Sequence, residues 1–225
     1  MSKLIWDQTG DRLYETGIDR GVLYPESSGT YPKGVAWNGL TGFTESPSGA
    51  DATTIYADNI KYLTLRAAED YGATITAYTY PDEWEECDGS ASPVPGVTFG
   101  QQKRKMFGFS CRTLIGNDTE SDSHGYKLHL VYAATASPSE RAYSTVNDSP
   151  EAIEFSWEIS TTPIAVATTD SKGGELKPVA CLTIDSTKVD SAKLKALEDI
   201  LYGGTDTEAR LPLPDEVVSL LKATS

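Results

Sequence analysis

Histidines, cysteines and closely paired carboxylates are the side chains through which a chain of this size would most readily do chemistry, and here they are few and poorly spaced. The two histidines are His124 and His129. His124 stands beside Ser121, Asp122 and Ser123, but adjacency in sequence does not build a triad, whose members must meet in space. His129 falls on the polar side of a strand pattern and is expected at the surface or an interface. Cys87, Cys111 and Cys181 are odd in number and widely spaced. With no C-x-x-C pair or nearby histidine they suggest neither a disulfide framework nor a zinc site, and they are expected as small apolar packing residues. The acidic run Asn117-Asp118-Thr119-Glu120-Ser121-Asp122 invites a calcium reading. An EF-hand count from Asp118, however, puts Ser123 where glycine is needed and His129 where a bidentate Glu belongs. Glu154 and Glu158 share a strand face about 13 Å apart, beyond the roughly 5–9.5 Å of glycosidase pairs; carboxylate pairs drawn from different strands stay open. Gly39-Leu40-Thr41-Gly42 and Gly96-Val97-Thr98-Phe99-Gly100 match neither a P-loop nor a dinucleotide fingerprint. No catalytic, metal or cofactor residue is assigned, and the chain is read as a non-enzyme.

The elements that carry these residues read mostly as strands, favoured by twelve Tyr, four Trp and abundant Thr. In residues 153–160 Ile, Phe, Trp and Ile alternate with Glu, Ser, Glu and Ser, the pattern of a strand with one buried and one wet face. Residues 12–18, 21–24, 35–45, 60–66, 73–80, 105–115, 126–132 and 178–185 suit further strands. Turn-rich connectors fill 25–34, 46–52, 87–96, 116–125 and 134–150. Residues 170–174 mark a hairpin tip in preference to a small-domain boundary. Asp190 is placed to cap a helix whose Leu194, Leu197 and Leu201 form one stripe ended by Gly203-Gly204, with Val189 and Leu194 as a staple. Pro214-Asp215-Glu216 opens a shorter helix carrying Val217, Leu220 and Leu221. Residues 81–86 suit a single acidic turn. The fold class expected is mainly β, a sandwich or barrel with one flanking α-helix and a short C-terminal helix, in one domain over 1–225.

Composition restricts the partners. The 225 residues hold 19 Lys and Arg against 33 Asp and Glu, a net charge of −14. That balance argues against a nucleic-acid reader and against a polybasic membrane binder. No apolar run approaches the 18 residues of a membrane span, and the first residues lack the apolar centre of a signal peptide. The chain is expected to be soluble and made in the cytoplasm, without membrane insertion.

Several blocks, in order, carry a resemblance. Ile5-Trp6-Asp7-Gln8-Thr9-Gly10 and Tyr31-Pro32-Lys33-Gly34-Val35-Ala36-Trp37-Asn38-Gly39-Leu40-Thr41 open it. Glu45-Ser46-Pro47-Ser48-Gly49-Ala50, Tyr56-Ala57-Asp58-Asn59-Ile60-Lys61-Tyr62-Leu63 and Ala77-Tyr78-Thr79-Tyr80-Pro81-Asp82-Glu83 continue it. Gly100-Gln101-Gln102-Lys103-Arg104-Lys105, Arg112-Thr113-Leu114-Ile115-Gly116-Asn117-Asp118 and Ala209-Arg210-Leu211-Pro212-Leu213-Pro214-Asp215-Glu216-Val217 complete it. Together they resemble the major tail proteins, or tail tube proteins, of long, non-contractile-tailed phages (siphophages of Gram-positive hosts). Residues 165–177 are the least familiar stretch.

The resemblance implies a virion protein with a β-sandwich, a flanking helix and a long loop. Six copies would close a ring, and rings would stack around a tape-measure protein, between tail-tip and tail-terminator proteins, into a tube that later passes DNA. A negative wall suits such a conduit, since duplex DNA carries a charge per about 1.7 Å and repulsion reaches roughly 8 Å at physiological salt. Glu154 and Glu158 are the lumen candidates; the alternative is that their face looks outward or meets another subunit. For ring stacking the candidate is the loop 46–58, with Ser46, Pro47, Gly49, Ile55 and Tyr56, unless it folds back over its own sandwich. The C-terminal extension, about 205–225, offers Leu211, Leu213 and Val217 for contact with a neighbour. The competing reading is a tail-tip or capsid accessory β-sandwich that binds host-surface carbohydrate.

Overall fold

The computed structural model describes residues 4–146, 148–149, 151–170, 172–205 and 207–222. Parts of three expected features therefore lie outside the described residues: Ser171 of the hairpin tip, Asn147 and Pro150 of the connector 134–150, and Asp206 and 223–225 of the C-terminal extension. Along the chain run β1 (Tyr14–Pro25), β2 (Val35–Trp37), β3 (Leu40–Glu45), β4 (Ser48–Gly49), β5 (Ala52–Ala57), β6 (Ile60–Arg66), β7 (Glu69–Asp70) and β8 (Gly72–Ala77). Then come α1 (Trp84–Asp88), β9 (Ala91–Val94), β10 (Val97–Phe99), β11 (Phe107–Asn117), β12 (Ser121–Ala136), β13 (Phe155–Thr161), β14 (Cys181–Asp185), α2 (Ser191–Tyr202) and α3 (Pro214–Leu221).

The protein is mainly β and antiparallel. Seven strands run in the order β2-β1-β11-β12-β13-β8-β3, and β14 joins β12 as an eighth. β12 makes the fork: one edge bonds β11, while the other bonds β14 through Lys127–Val131 and β13 through Ala134–Ala136. Ala133, at φ 45°, sits between those two partnerships. A bulged residue of this kind bends a strand and re-aims the residues beyond it. Its backbone is held by neighbours: the Ala133 N–H donates to the Tyr31 hydroxyl at 2.8 Å, and its carbonyl accepts from Thr162. The sheet curls until β3 lies against β1, where a Cβ on Gly21 would stand 3.1 Å from Leu40 Cδ2.

Curling gives two cores. Inside lie Leu23, Trp37, Ile75, Trp84, Phe107, Phe109, Val131 and Trp157, with Trp84 in ring contact with Trp37, Phe107 and Trp157. Outside, α2 and α3 cover the face that presents Val22, Tyr24, Leu128, Leu130, Tyr132 and Ile184. The central strands are thus covered on both faces, and Val22, Leu23 and Tyr24, or Leu130, Val131 and Tyr132, are buried in succession. Asp190 caps α2 as expected, accepting from the Ala192 and Lys193 N–H groups at 3.1 Å, and Leu194, Leu197 and Leu201 are its buried stripe. Among the described residues no helix is long and apolar enough to cross a membrane.

Several expectations are corrected. The single strand at 35–45 is two, parted by the turn at Asn38-Gly39 with Gly39 at φ 74°, so its halves sit on different strands of the sheet. The strands at 12–18 and 21–24 are one, with register shifts near Arg20 (φ 50°). Ile153 precedes β13 and is exposed, leaving Trp157 and Ile159 as that strand's deeply buried residues. The loop 46–58 is no loop. It is the first half of a hairpin arm in which β5 pairs with β6 and, nearer the body, β4 with β7. The expected strand 60–66 is the arm's return strand, outside the main sheet.

Candidate functional site

The arm is the most unusual surface of the chain. Ile55, Tyr56, Ile60, Tyr62, Leu63 and Leu65 are 37–70% exposed, and β6 has no buried or half-buried residue. Ile55 pairs across the ribbon with Leu63, and Leu65 lies two residues further along the same strand, so the three share one face. A two-stranded ribbon is at best marginal in water, and this one carries an apolar face that stands clear of its own core. The alternative, that this segment folds back over its own core, does not hold for these side chains, which are exposed. Of the stacking candidates, Ile55 and Tyr56 are on the ribbon itself, whereas Ser46, Pro47 and Gly49 form its base. There Ser46 N–H donates to the Gly72 carbonyl at 2.8 Å, and Gly49, at φ 80°, pairs with Glu69.

The second surface is the outer face of β3, β8 and β13, which the helices leave bare. The register puts Ala73, Ile75, Ala77, Trp157 and Ile159 inside and therefore Thr74, Thr76, Ser156, Glu158 and Ser160 outside. Thr41 joins them through a 3.0 Å hydroxyl contact with Thr76. Glu158 is exposed in the middle of this hydroxyl-rich face, and Glu154 is exposed just before the strand begins. The face carries no lysine or arginine. The structure thus keeps both carboxylates on the solvent side of β13 and its approach, and among the described residues brings neither to a second acid or base.

Two of the three C-terminal candidates are corrected. Leu211 and Val217 are buried in the subunit's own outer core and so are unavailable to a neighbour, while Leu213 beside them is half-buried. The strap is sewn down along its length. Gly34 N–H donates to the Ala209 carbonyl at 2.6 Å, Leu211 N–H to the Tyr31 carbonyl at 3.1 Å, and the Tyr132 hydroxyl to the Pro212 carbonyl at 3.0 Å. Asp215 at the start of α3 accepts from the Ala167 and Thr168 N–H groups and the Thr168 hydroxyl, pinning the stretch that looked least familiar in sequence. Either side of the expected hairpin tip, Thr169 forms an antiparallel bridge with Glu175 and Asp170 N–H donates to the Gly174 carbonyl at 2.9 Å.

The chemistry-capable residues are structural in their surroundings. His129 is half-buried between β11 and β12, its Nε2 2.9 Å from the Thr113 hydroxyl, rather than on an open polar face, and burial lowers its pKa. His124 contacts Glu120 at 2.7 Å and Asn117 at 3.3 Å near the β11–β12 turn. Burial pushes the Cys87 and Cys111 thiols up to about 12, far from the thiolate a nucleophile needs. Sequence reasoning missed Arg141, which pairs with Asp88 and lies 5.8 and 5.9 Å from the centres of the Tyr80 and Phe155 rings. It also missed the ion pair of Arg112 with Asp19, at 2.7 and 2.5 Å, between β11 and β1. Neither has a local sequence signal, because each joins residues tens of positions apart. Comparison with protein-family models and with curated proteins finds no match to the chain.

Proposed function

We propose that this chain is a structural subunit that self-assembles into stacked rings, forming a phage tail tube of the siphophage type. The observation that carries the reading is the arm, a ribbon of six exposed large apolar side chains that its own body does not cover. Two further features support it. β2 and β3 end the main sheet, and among the described residues neither has a strand on its outer edge, an edge of the kind that closing a ring would pair. The bare hydroxyl face with Glu158, in a chain of net charge −14, has the character of a wall that duplex DNA would slide past. On this reading the sandwich is of the tail-tube type, the ring is a hexamer and the virion tail is its location. The tape-measure protein is the lumen's first occupant, DNA a transient one, and the tail-tip and terminator proteins hold the ends.

The test is negative-stain electron microscopy of the purified chain over a concentration series. Hollow rings or tubes that lengthen with concentration are expected. Compact monomers or trimers that persist with tail-tip proteins added would remove the reading and favour the accessory carbohydrate-binding module, for which the exposed Tyr78 and Tyr143 would then be the first residues to examine.

A further inference from the structure

The corner between β2 and β3 holds an asparagine placed to react with its own backbone. Of Asn38, Asn59, Asn117 and Asn147, only Asn38 precedes a glycine. Asn38 and Gly39 are both exposed, and they line a cavity of about 590 Å³ together with Asp19, Arg20 and Tyr202. Among the described residues, neither the Asn38 carboxamide nor the Gly39 N–H has a hydrogen-bond partner. Gly39 is demanded by the fold, since its φ is 74° and a Cβ there would stand 2.8 Å from Thr79 Cγ2. Asn38 is therefore held next to the one residue type whose amide nitrogen no side chain shields.

The chain has one comparable bond, Asp88-Gly89, and the fold closes it. Asp88 pairs with Arg141 and its side chain is only 11% exposed, while the Gly89 N–H donates to the Glu85 carbonyl. Asn117 is buried, accepting from the Thr119 and Glu120 N–H groups and donating to the Gly10 carbonyl. Asn59 is followed by the branched Ile60.

We infer that Asn38 is a site of spontaneous covalent modification, converted in the folded chain to isoaspartate and aspartate. The Gly39 backbone nitrogen attacks Asn38 Cγ. An N–Cγ bond forms, the Cγ–Nδ2 bond breaks, and Nδ2 leaves as ammonia with the proton given up by the Gly39 nitrogen. Water then opens the five-membered ring and returns that proton. Opening at Cγ gives aspartate, and opening at the Asn38 backbone carbonyl gives isoaspartate. Both products bring a negative charge to the cavity that Arg20 lines, but only isoaspartate adds a methylene to the backbone. The corner has little slack for it. Val35–Trp37 are paired with Leu23–Gly21, the Tyr78 N–H holds the Gly39 carbonyl at 2.8 Å, and Trp37 Nε1 donates to the Thr79 carbonyl at 2.8 Å. The reaction needs no second copy, so it is independent of the assembly reading.

The test is to incubate the purified full-length chain in warm, mildly alkaline buffer and follow it by isoelectric focusing and peptide mass mapping. Isoaspartate is read by its methylation with protein L-isoaspartyl methyltransferase. A growing acidic species is expected, with the change confined to the Asn38 peptide while Asn59, Asn117 and Asp88 persist. An Asn38→Ser variant should yield neither the acidic species nor the methyl acceptor. Separated by ion exchange, the isoaspartate form should melt below the parent, whereas an Asn38→Asp variant, with the charge but not the extra methylene, should melt with it. A folded chain whose Asn38 survives an incubation that converts a free peptide of residues 35–41 overturns the inference, because the turn then holds the two reacting groups apart. Conversion at Asp88 or Asn117 ahead of Asn38 would likewise overturn it.

Discussion

Gly108 of β11 offers a test in which the sign of the effect decides. Glycine inside a strand ordinarily costs about 0.5–1 kcal/mol relative to alanine, so Gly108→Ala on an open strand would stabilise. Here a Cβ would lie 2.4 Å from Leu211 Cδ2, with Tyr31 Cδ1 and the Val131 carbonyl oxygen both at 3.3 Å. Leu211 is itself buried and its backbone is bonded to Tyr31, so it has little room to retreat. Overpacking of this kind costs about 1–3 kcal/mol. At about 2–4 °C per kcal/mol for a chain of this length, a loss of about 2 kcal/mol lowers Tm by roughly 4–8 °C. Leu211→Ala alone removes a buried leucine and should cost about 2–5 kcal/mol. In the double variant the new methyl occupies space that Leu211 vacates, so the combined loss should fall short of the sum by about 1–2 kcal/mol. Thermal denaturation of the dispersed subunit, tracked by circular dichroism, measures all four corners of the cycle. Strict additivity, or a Gly108→Ala variant as stable as its parent, would refute the packing argument. A Leu211→Ala subunit of unchanged Tm that fails to assemble would return that residue to an inter-subunit role.

Other perturbations have equally definite outcomes. Asp190→Ala removes the cap of α2 and should lower stability by about 1 kcal/mol, read by urea titration; no change would mean the helix is held by its leucine stripe alone. Replacing residues 52–66 by a short turn, across the point where Ala67 N–H meets the Asp51 carbonyl, should move Tm by less than about 2 °C, since it uncovers no core, while abolishing stacking. A large loss of Tm would show that the arm supports its own body. Acid should act in two steps. Burial lowers the pKa of His129, so the unfolded chain takes up that proton first and stability begins to drain below about pH 6.5. Arg112 holds Asp19 low, the Thr187 hydroxyl Asp185 and Arg210 Glu216, so their contributions persist above about pH 4 and are lost below it as the folded carboxylates protonate. A His129→Asn variant that keeps the upper step in a Tm-against-pH series would count against that assignment. Glu154→Lys with Glu158→Lys should leave assembly intact but make the tubes co-sediment with duplex DNA at low salt; DNA left in the supernatant would remove both residues from the wall.

How much of this was legible depended on how many faces of an element are covered. β13 alternates because one face is buried and the other bare, and α2 announces itself through Asp190, a leucine stripe and Gly203. β11 and β12 alternate poorly because the inner core takes one face and the helices the other. Trp84 looked like part of an acidic turn, since Glu83, Glu85 and Glu86 surround it, yet it is fully buried at the centre of the aromatic cluster. The arm was half legible: β6 has strand composition, but β5 is rich in Thr and opens from Ser, Pro, Gly and Asp, which read as a loop. The strap at Leu211–Leu213 misled because prolines remove the periodicity that would mark it as core. Its partners Gly108, Tyr31 and Tyr132 lie too far away in sequence for any local pattern to connect them.

On the proposed reading the acidity and the exposed apolar ribbon act together. On the proposed reading, copies of net charge −14 repel over about a Debye length, roughly 8 Å at physiological salt, which keeps the subunit dispersed while its arm is uncovered. Attraction must then be short-ranged and local, and apolar burial at about 25 cal/mol per Å² is of that kind. The chain places it on the narrow ribbon of β5 and β6 that stands clear of its core. Repulsion sets the threshold for assembly, and the ribbon supplies the attraction. Added salt weakens the first over distance while leaving apolar burial in place, so the concentration needed for stacking should fall as salt rises towards physiological strength. A threshold that rises over that range would mean that ion pairs, not the apolar ribbon, hold the copies together.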